Sequence, residues 1–312
     1  MKMKILITGS SGLVGKAMQS VFIGRYYTLL TPSSMECNLL DFQETLSYFQ
    51  SKKPDFVIHL AACVGGLYKN MNSKVEMFEK NMKINMNVLE CAFQTNVKKV
   101  VSCLSTCIFP DKTTYPISEE MLHNGPPHFS NDAYAYAKRM LEVQSNIYNE
   151  QYGTNFVCVI PTNIYGPFDN FSLEDGHVIP SLIHKCYLAK KEKKEFVVRG
   201  TGKPLRQFIY SKDLANLILW TLEHYKEKKS IILSVSEEDE ISIKDVAFEI
   251  ANNFDYTDFL KFDDSFSDGQ FKKTADNSKL LSLLPDYKFV SIKNGLKETI
   301  QWFQENYENC RK

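Results

Sequence analysis

Thr8-Gly9-Ser10-Ser11-Gly12-Leu13-Val14-Gly15 stands directly behind the apolar run 4–8 and opens the helix-length segment 12–22. Glycines at this spacing, between a strand and a helix, are the fingerprint of a dinucleotide-binding turn. Gly9 permits the tight turn, Gly12 lets the backbone approach a pyrophosphate, and Gly15 lets the helix pack close to the strand. The first helical turn then offers N–H donors and the positive end of its dipole to phosphates. Gly9, Ser10, Ser11, Gly12, Leu13, Val14 and Gly15 are therefore candidate cofactor contacts.

Outward from this turn the chain alternates. Apolar runs at 27–31, 55–60, 99–104 and 155–160 read as strands, and 41–51, 74–95 and 132–152 read as the helices between them. Near-continuous apolar strands joined by amphipathic helices imply right-handed crossovers and a parallel sheet covered on both faces. The expected fold is α/β, a Rossmann-type doubly wound parallel sheet with a smaller C-terminal substrate-binding lobe. After Pro161, Gly, Pro and Asn become frequent and the alternation loosens. Strands are expected at 196–199 and 231–235, and helices at 243–253 and 292–306. This divides the chain into a dinucleotide-binding domain, 1–165, that also receives strands from about 205–240, and a lobe, 166–312, over the carboxyl ends of the strands.

Composition narrows the function further. The 312 residues are 44% hydrophobic and 24% charged, the balance of a globular protein with a sizeable core. Lys plus Arg and Asp plus Glu are both 37, so no bulk field favours nucleic acid or an anionic membrane, and neither is expected as a partner. Lys190, Lys191, Lys193 and Lys194 alternate with Glu192 and Glu195 and read as a solvated loop. No stretch approaches the ~18 apolar residues of a membrane span. The run Ile5, Leu6, Ile7 is too short for a secretory signal, and a cytoplasmic protein is expected. The 8 cysteines include no C-x-x-C pair, so buried free thiols are expected and no metal site.

The second strand settles which dinucleotide. An NAD enzyme usually places an early acid there to grip the ribose hydroxyls. Here the stretch is Thr31-Pro32-Ser33-Ser34-Met35-Glu36, with the acid late, which favours a 2′-phosphate and hence NADP (NADPH). The next motif is Tyr134-Ala-Tyr-Ala-Lys138. Its i,i+4 spacing puts phenol and ammonium on one helix face. The ammonium is expected to lower the phenol pKa toward the range of proton transfer and to hold the nicotinamide ribose. Tyr136 is a rival phenol without the spacing. Ser105 ends the preceding strand. Glycine fingerprint, strand-end Ser and helical Tyr-x-x-x-Lys, in this order, form the Ser-Tyr-Lys set of the short-chain dehydrogenase/reductases.

Longer strings resemble one branch of that superfamily, the GDP-L-fucose synthases. They are Leu60-Ala-Ala-Cys-Val-Gly-Gly66, Ser105-Thr-Cys-Ile-Phe-Pro110, Pro161-Thr-Asn-Ile-Tyr-Gly-Pro167, Asp169-Asn-Phe171, Gly176-His-Val-Ile-Pro180, Arg206-Gln-Phe-Ile-Tyr210 and Ser267-Asp-Gly-Gln-Phe-Lys-Lys273. The resemblance implies epimerisation of GDP-4-keto-6-deoxy-mannose at carbons 3 and 5, then NADPH-dependent reduction at carbon 4. It implies Cys107 and His177 as the acid/base pair for epimerisation, with Ser105 and Tyr134 on the keto oxygen beside Lys138. It adds Ser34, Asn38, Leu39, Leu60, Ala61, Ala62, Leu104, Pro161, Thr162, Asn163, Ile164 and His177 to the cofactor contacts. Lys185, Arg199, Arg206 and Asp268 fall at its substrate positions. It also implies a homodimer, built from the helices at 74–95 and 132–152.

The chain departs from the family pattern at three places. Arg199 replaces an aromatic before Gly-Thr-Gly, Phe168 replaces a His after Gly-Pro, and Phe266 replaces a Lys before Ser-Asp-Gly. None touches the Ser-Cys-Tyr-Lys-His set. The rival readings are another extended reductase or epimerase on a nucleotide sugar, and an inactive NADP-binding regulator. A 4-epimerase needs no Cys/His pair. A 4,6-dehydratase carries Asp-Glu after the strand-end hydroxyl, where Thr106-Cys107 stands here. An inactive regulator loses the Tyr or the Lys, and both are present.

Overall fold

The computed structural model describes residues 2–65, 71–268 and 270–312; Gly66 and Gly269 of the quoted strings lie outside them. Its strands are β1 (Met3–Thr8), β2 (Tyr27–Leu30), β3 (Phe56–His59), β4 (Lys99–Cys103), β5 (Phe156–Pro161), β6 (Asn163–Tyr165), β7 (Phe196–Arg199), β8 (Leu205–Arg206), β9 (Phe208–Tyr210), β10 (Ile231–Leu233), β11 (Ile241–Ser242) and β12 (Leu260–Asp263). Its helices are α1 (Leu13–Val21), α2 (Phe42–Lys52), α3 (Lys74–Gln94), α4 (Asp132–Tyr152), α5 (Val178–Glu192), α6 (Ser211–His224), α7 (Ile243–Asn253), α8 (Ser278–Leu283) and α9 (Ile292–Glu305).

The central sheet has 6 strands in the order β2-β1-β3-β4-β5-β10, every neighbouring pair parallel. Period-two alternation divides β1 between two cores. Ile5 and Ile7 pack with Met18 of α1 and Leu214 and Ile218 of α6. Leu6 packs on the other face with Phe49 of α2, Leu89 of α3 and Leu141 of α4. Both faces of the sheet are therefore covered, as apolar parallel strands require. The chain reverses its direction of travel across the sheet between β1 and β3, which opens a crevice at their carboxyl ends.

A third core belongs to the remaining elements. Ile183 and Cys186 of α5, Phe196 and Val198 of β7, Val246 and Ile250 of α7, and Ile300 and Phe303 of α9 pack together. Short pairs β7–β12, β6–β9 and β8–β11 edge this lobe. Helices α5 and α6 are not among the helices expected above. Leu214, Ala215, Leu217, Ile218, Leu219 and Leu222 bury most of α6, which leaves only a narrow outer stripe of Lys212, Asn216, Trp220 and Glu223.

The lysine-rich stretch is solvated as expected, but only residues 193–195 are loop. Lys190 and Lys191 form the last turn of α5, and Lys193 caps it in the left-handed conformation at φ 55°. Cations in a last turn complement the helix dipole, and Lys190 donates through Nζ to the Phe254 carbonyl. All 8 cysteines are free. No helix among the described residues is long and apolar enough to cross a membrane, and no cluster of His, Cys, Asp or Glu among them is placed to hold a metal ion.

The chain end returns to the lobe's entry loop. Phe171 N donates to Arg311 O at 2.8 Å, and Arg311 Nη2 donates to Phe168 O at 2.9 Å. Between them Asp169 is buried, with Oδ1 accepting from Asn170 N at 2.7 Å and Oδ2 unpartnered. Burial pushes its carboxyl up to about 7, against the opposing pull of the Asn170 N–H and Arg311. The folded state thus prefers the protonated acid, and that preference is lost as pH rises from the ordinary carboxylate range through about 7. Asp169→Asn should therefore gain roughly 2–3 kcal/mol on the wild type between pH 5 and pH 8. Urea midpoints at the two pH values check this, and equal differences at both would refute it.

Candidate active site

The turn after β1 is shaped by close backbone contact. Gly9 has φ +68°, and a Cβ there would lie 2.8 Å from Ala61 N. A Cβ on Gly15 would lie 2.4 Å from Gly9 O and 2.6 Å from Ser10 Cα. Both glycines are thus required by the protein's own packing. Gly12 differs, because its nearest neighbour would be Gly9 O at an ordinary 3.5 Å. It is also the N-cap of α1, with no side chain capping the helix. Gly12 N donates to Gly9 O at 3.1 Å, and the open space above Gly12, Leu13 and Val14 is where the start of α1 could hold an anion.

A buried network fixes that turn against β3. Thr8 Oγ1 accepts from Leu60 N and Ala61 N, each at 3.1 Å, and donates to His59 Nδ1 at 2.8 Å. His59 Nε2 then donates to Asn85 Oδ1 of α3 at 3.1 Å. Burial, with Lys138 nearby, depresses His59 to about 3, so it stays neutral and keeps this tautomer. Leu60, Ala61 and Ala62 are thereby held alongside Gly9.

Beyond β2, the late acid is engaged. Glu36 accepts from Ser33 N at 2.8 Å and from Ser33 Oγ at 2.9 Å, which lowers its pKa and leaves Ser34 exposed with a free hydroxyl face. Asn38 Oδ1 accepts from Leu40 N at 3.2 Å, and Leu39 O accepts from Asn87 Nδ2 at 2.9 Å. Leu104 is buried with its N–H on Val159 O at 2.8 Å. Pro161 ends β5. Thr162 Oγ1 bonds Ser234 Oγ at 3.3 Å, Asn163 Nδ2 donates to Gln207 O at 3.0 Å, and Ile164 continues β6.

Four of the five catalytic candidates meet at the carboxyl end of β4. Ser105 caps the short 3-10 turn Thr106–Ile108, its Oγ accepting from Cys107 N at 3.4 Å. Lys138, 2% exposed, donates through Nζ to Cys103 O at 2.8 Å. The same Nζ lies 5.9 Å from the ring centre of Tyr134, over the ring and one helical turn away. The expected lowering of the Tyr134 pKa is not seen. Burial raises it, reinforced by Cys107, Cys103 and Cys63, so the phenol holds its proton firmly. Burial also raises the Cys107 thiol, opposed by Lys273, the Ser105 hydrogen bond and Lys138. His177 stands apart as the N-cap of α5. It is open to solvent on one side yet crowded by neighbours, and desolvation and Arg311 both lower its pKa, leaving it neutral.

The substrate candidates line the lobe. Arg206 Nη1 donates to Leu205 O at 2.7 Å. Lys185, on α5, has its pKa lowered by burial and by Arg199. Asp268 is engaged within the protein, accepting from Thr201 N at 2.9 Å and from Thr201 Oγ1 at 2.5 Å. Arg199 and Phe266, two departures from the family pattern, meet each other: the guanidinium carbon lies 4.6 Å from the ring centre. Two departures from the family pattern thus form one cation–aromatic contact in this chain. Phe168, the third departure, packs on Trp302 at 4.5 Å and lies 5.8 Å from Lys16 Nζ beside the glycine turn. Lys273 is a site residue that sequence reasoning did not single out. The bridge Ile117↔Ala275 carries its segment across the cleft, so that Lys273 feels both Cys107 and Arg206. Only its place in the Lys272-Lys273 pair marked it in sequence.

Residues 5–235 match the family model described as the NAD dependent epimerase/dehydratase family. A GDP-L-fucose synthase of Dictyostelium discoideum is 56% identical over 100% of this chain and 98% of its own length. This chain belongs to that family, on its GDP-L-fucose synthase branch. A probable GDP-L-fucose synthase of Drosophila melanogaster is 46% identical over 99% of both chains. A crystal structure of a GDP-L-fucose synthetase from Naegleria fowleri bound to NADP superposes with a TM-score of 0.95 at 49% identity, covering 99% of this chain and 95% of that one.

The glycines of this family member make unequal demands. Gly15→Ala, which forces backbone atoms apart, should cost ~1–3 kcal/mol. Gly12→Ala should melt near the wild-type temperature yet bind a pyridine dinucleotide much more weakly. Thermal melts paired with dinucleotide titration separate the two. Equal loss of stability in both variants would contradict the assignment of the open cradle to Gly12.

Proposed function

We propose that the protein converts GDP-4-keto-6-deoxy-mannose to GDP-L-fucose, epimerising carbons 3 and 5 and then reducing carbon 4 with NADPH. One observation carries the reading: the strand-end turn that holds Ser105 and Cys107 meets the Tyr134–Lys138 face of α4 at the mouth of the sheet. Residues 1–165, joined by α6 and β10 from the stretch 205–240, act as the dinucleotide-binding domain, and the rest of 166–312 as the substrate lobe.

The residues present fit NADP. The open face above Gly12 suits a pyrophosphate, and the exposed Ser34, with Glu36 engaged by Ser33, leaves room for a 2′-phosphate. Leu60, Ala61 and Ala62 would wall the adenine side, and Lys138 would hold the nicotinamide ribose. NADPH, when bound, supplies the hydride that reaches carbon 4.

The chain's own residues handle the protons. The 4-keto group acidifies the hydrogens on both neighbouring carbons, so a single acid/base pair serves both. Cys107 enters as a thiol that can give its proton, and His177 as a neutral imidazole that can take one. Lys273 and Lys138 favour departure of the proton from sulfur. Ser105 and Tyr134 hold the keto oxygen as negative charge develops there. The raised Tyr134 pKa suits a donor, and Tyr134 delivers the proton that completes the alcohol at carbon 4. Lys185 and Arg206 would bind the diphosphate. Asp268, tied to Thr201, would set the turn that Arg199 and Phe266 flank.

The same reading includes a homodimer. Val75, Phe78 and Met86 of α3 and Tyr136, Met140 and Ile147 of α4 are exposed apolar side chains at helical spacing. The two helices pack side by side, so their outer faces form one surface suited to an isologous four-helix contact. Light scattering should give a particle near twice 35.9 kDa. A monomer at micromolar concentration would count against it. The 8 free cysteines suit a reducing compartment, in keeping with cytoplasmic action.

The two halves of the reaction should separate by mutation. Tyr134→Phe removes the proton donor and should slow NADPH oxidation ~10²–10⁴-fold. It should still exchange solvent deuterium into carbons 3 and 5. Cys107→Ser should behave oppositely, because a serine hydroxyl is a far poorer proton carrier than a thiol. Mass and proton NMR of the sugar after incubation in deuterated water distinguish them. Wild-type exchange by Cys107→Ser would make Cys107 a packed thiol and end its assignment.

A further inference from the structure

Helix α4 carries a second buried cation beside Lys138. Arg139 is 5% exposed, and among the described residues no carboxylate forms an ion pair with it. Its Nε donates to the Ile108 carbonyl, its Nη2 is buried without a partner, and its guanidinium carbon lies 5.7 Å from the Tyr136 ring centre. A buried charge with an unmet donor is costly, and it is tolerated best where negative charge forms nearby.

The place of that charge in the fold is specific. Ile108 closes the turn Thr106–Ile108, in which Cys107 is the central residue. Ser105 holds the turn at its start by accepting from Cys107 N, and Arg139 holds it at its end through the Ile108 carbonyl. The groups that face Cys107 come from three elements: Ser105 from its own turn, Tyr134, Lys138 and Arg139 from α4, and Lys273 from the segment after β12. Every charged member of this set is a cation. Lys138 has its carbonyl partner on Cys103 and a place beside the Tyr134 phenol, whereas Arg139 lies by the Tyr136 ring and donates to the turn that carries the thiol.

We propose that Arg139 is a positioning residue for Cys107: it fixes the turn that aims the thiol and sets a buried positive charge behind it. It therefore serves proton transfer at carbons 3 and 5 and not the chemistry at carbon 4. The inference rests on the reading of Cys107 as a member of the acid/base pair.

The test uses Arg139→Met and Arg139→Lys in the full chain. It reads the pH midpoint of Cys107 alkylation by iodoacetamide, followed on the Cys107 peptide by mass spectrometry, together with deuterium entry at carbons 3 and 5 and NADPH affinity. Loss of a nearby cation disfavours thiolate, so Arg139→Met should move the midpoint up by ~1 pH unit. Misplacement of the turn should slow deuterium entry by up to ~10²-fold, with NADPH affinity unchanged. Arg139→Lys keeps the charge but not the planar fork, so it should restore the midpoint while exchange stays slow. A wild-type midpoint in folded Arg139→Met overturns the proposal. Should that variant fail to fold, wild-type exchange in Arg139→Lys overturns it instead. If Cys107→Ser loses exchange while the Arg139→Met midpoint is that of the wild type, this inference falls alone. If Cys107→Ser exchanges normally, both readings fall.

Discussion

The near-contact of Gly9 with Leu60 and Ala61 is the constraint on which the molecule depends. No side chain fits there, since a Cβ on Gly9 would sit 2.8 Å from Ala61 N. The approach lets β1 and β3 end at the same level, and the Thr8 hydroxyl joins them by accepting both N–H groups while donating to His59. Because His59 in turn bonds Asn85, helix α3 is fixed to the same point. The crevice at the reversal of strand order therefore has one rigid wall. The Gly12 turn after β1 and the Cys107 turn after β4 both lie at the carboxyl ends of the parallel strands.

Burial, more than charge, sets the resting chemistry of the site. Tyr134 and Cys107 both have raised pKa values, and desolvation is the largest cause for each. An ammonium positioned over a phenol ring, as Lys138 is over Tyr134, does little for an ion at the hydroxyl. The site thus rests with its acids protonated and its imidazole neutral, which suits a reaction that begins with a neutral ketone and delivers a proton at its end. Lys138, Lys273 and Arg206 add positive charge around these neutral groups, and burial lowers the pKa of each.

The lobe is anchored by contacts distant in sequence. Arg311 returns to the loop at Phe168 and Phe171, and the bridge between Ile117 and Ala275 carries Lys273 over the cleft. Arg199 and Phe266, 67 positions apart, join two segments of the same wall by a cation–aromatic contact. Asp169 shows a different case. A buried carboxyl with one unpartnered oxygen is held in place by the chain around it and not by a charge of its own.

The sequence by itself determined the sheet, the glycine turn and the order of Ser105, Tyr134 and Lys138, because each depends on local period or spacing. Strand alternation, helical i,i+4 geometry and glycine at a tight turn are properties of a few consecutive residues. Helix α6 is harder to read, since its outer stripe is narrow and Trp220 stands in it among the polar residues Lys212, Asn216 and Glu223. The terminal turn of α5 was not legible because a run of exposed, alternating charges looks the same in a helix end as in a loop. Only the tertiary structure decided which way each pKa moves, that Lys273 and Arg139 stand beside Cys107, and that Arg199 stacks on Phe266. Desolvation and proximity between segments far apart in the chain are properties of the packed core, and no local spacing encodes them.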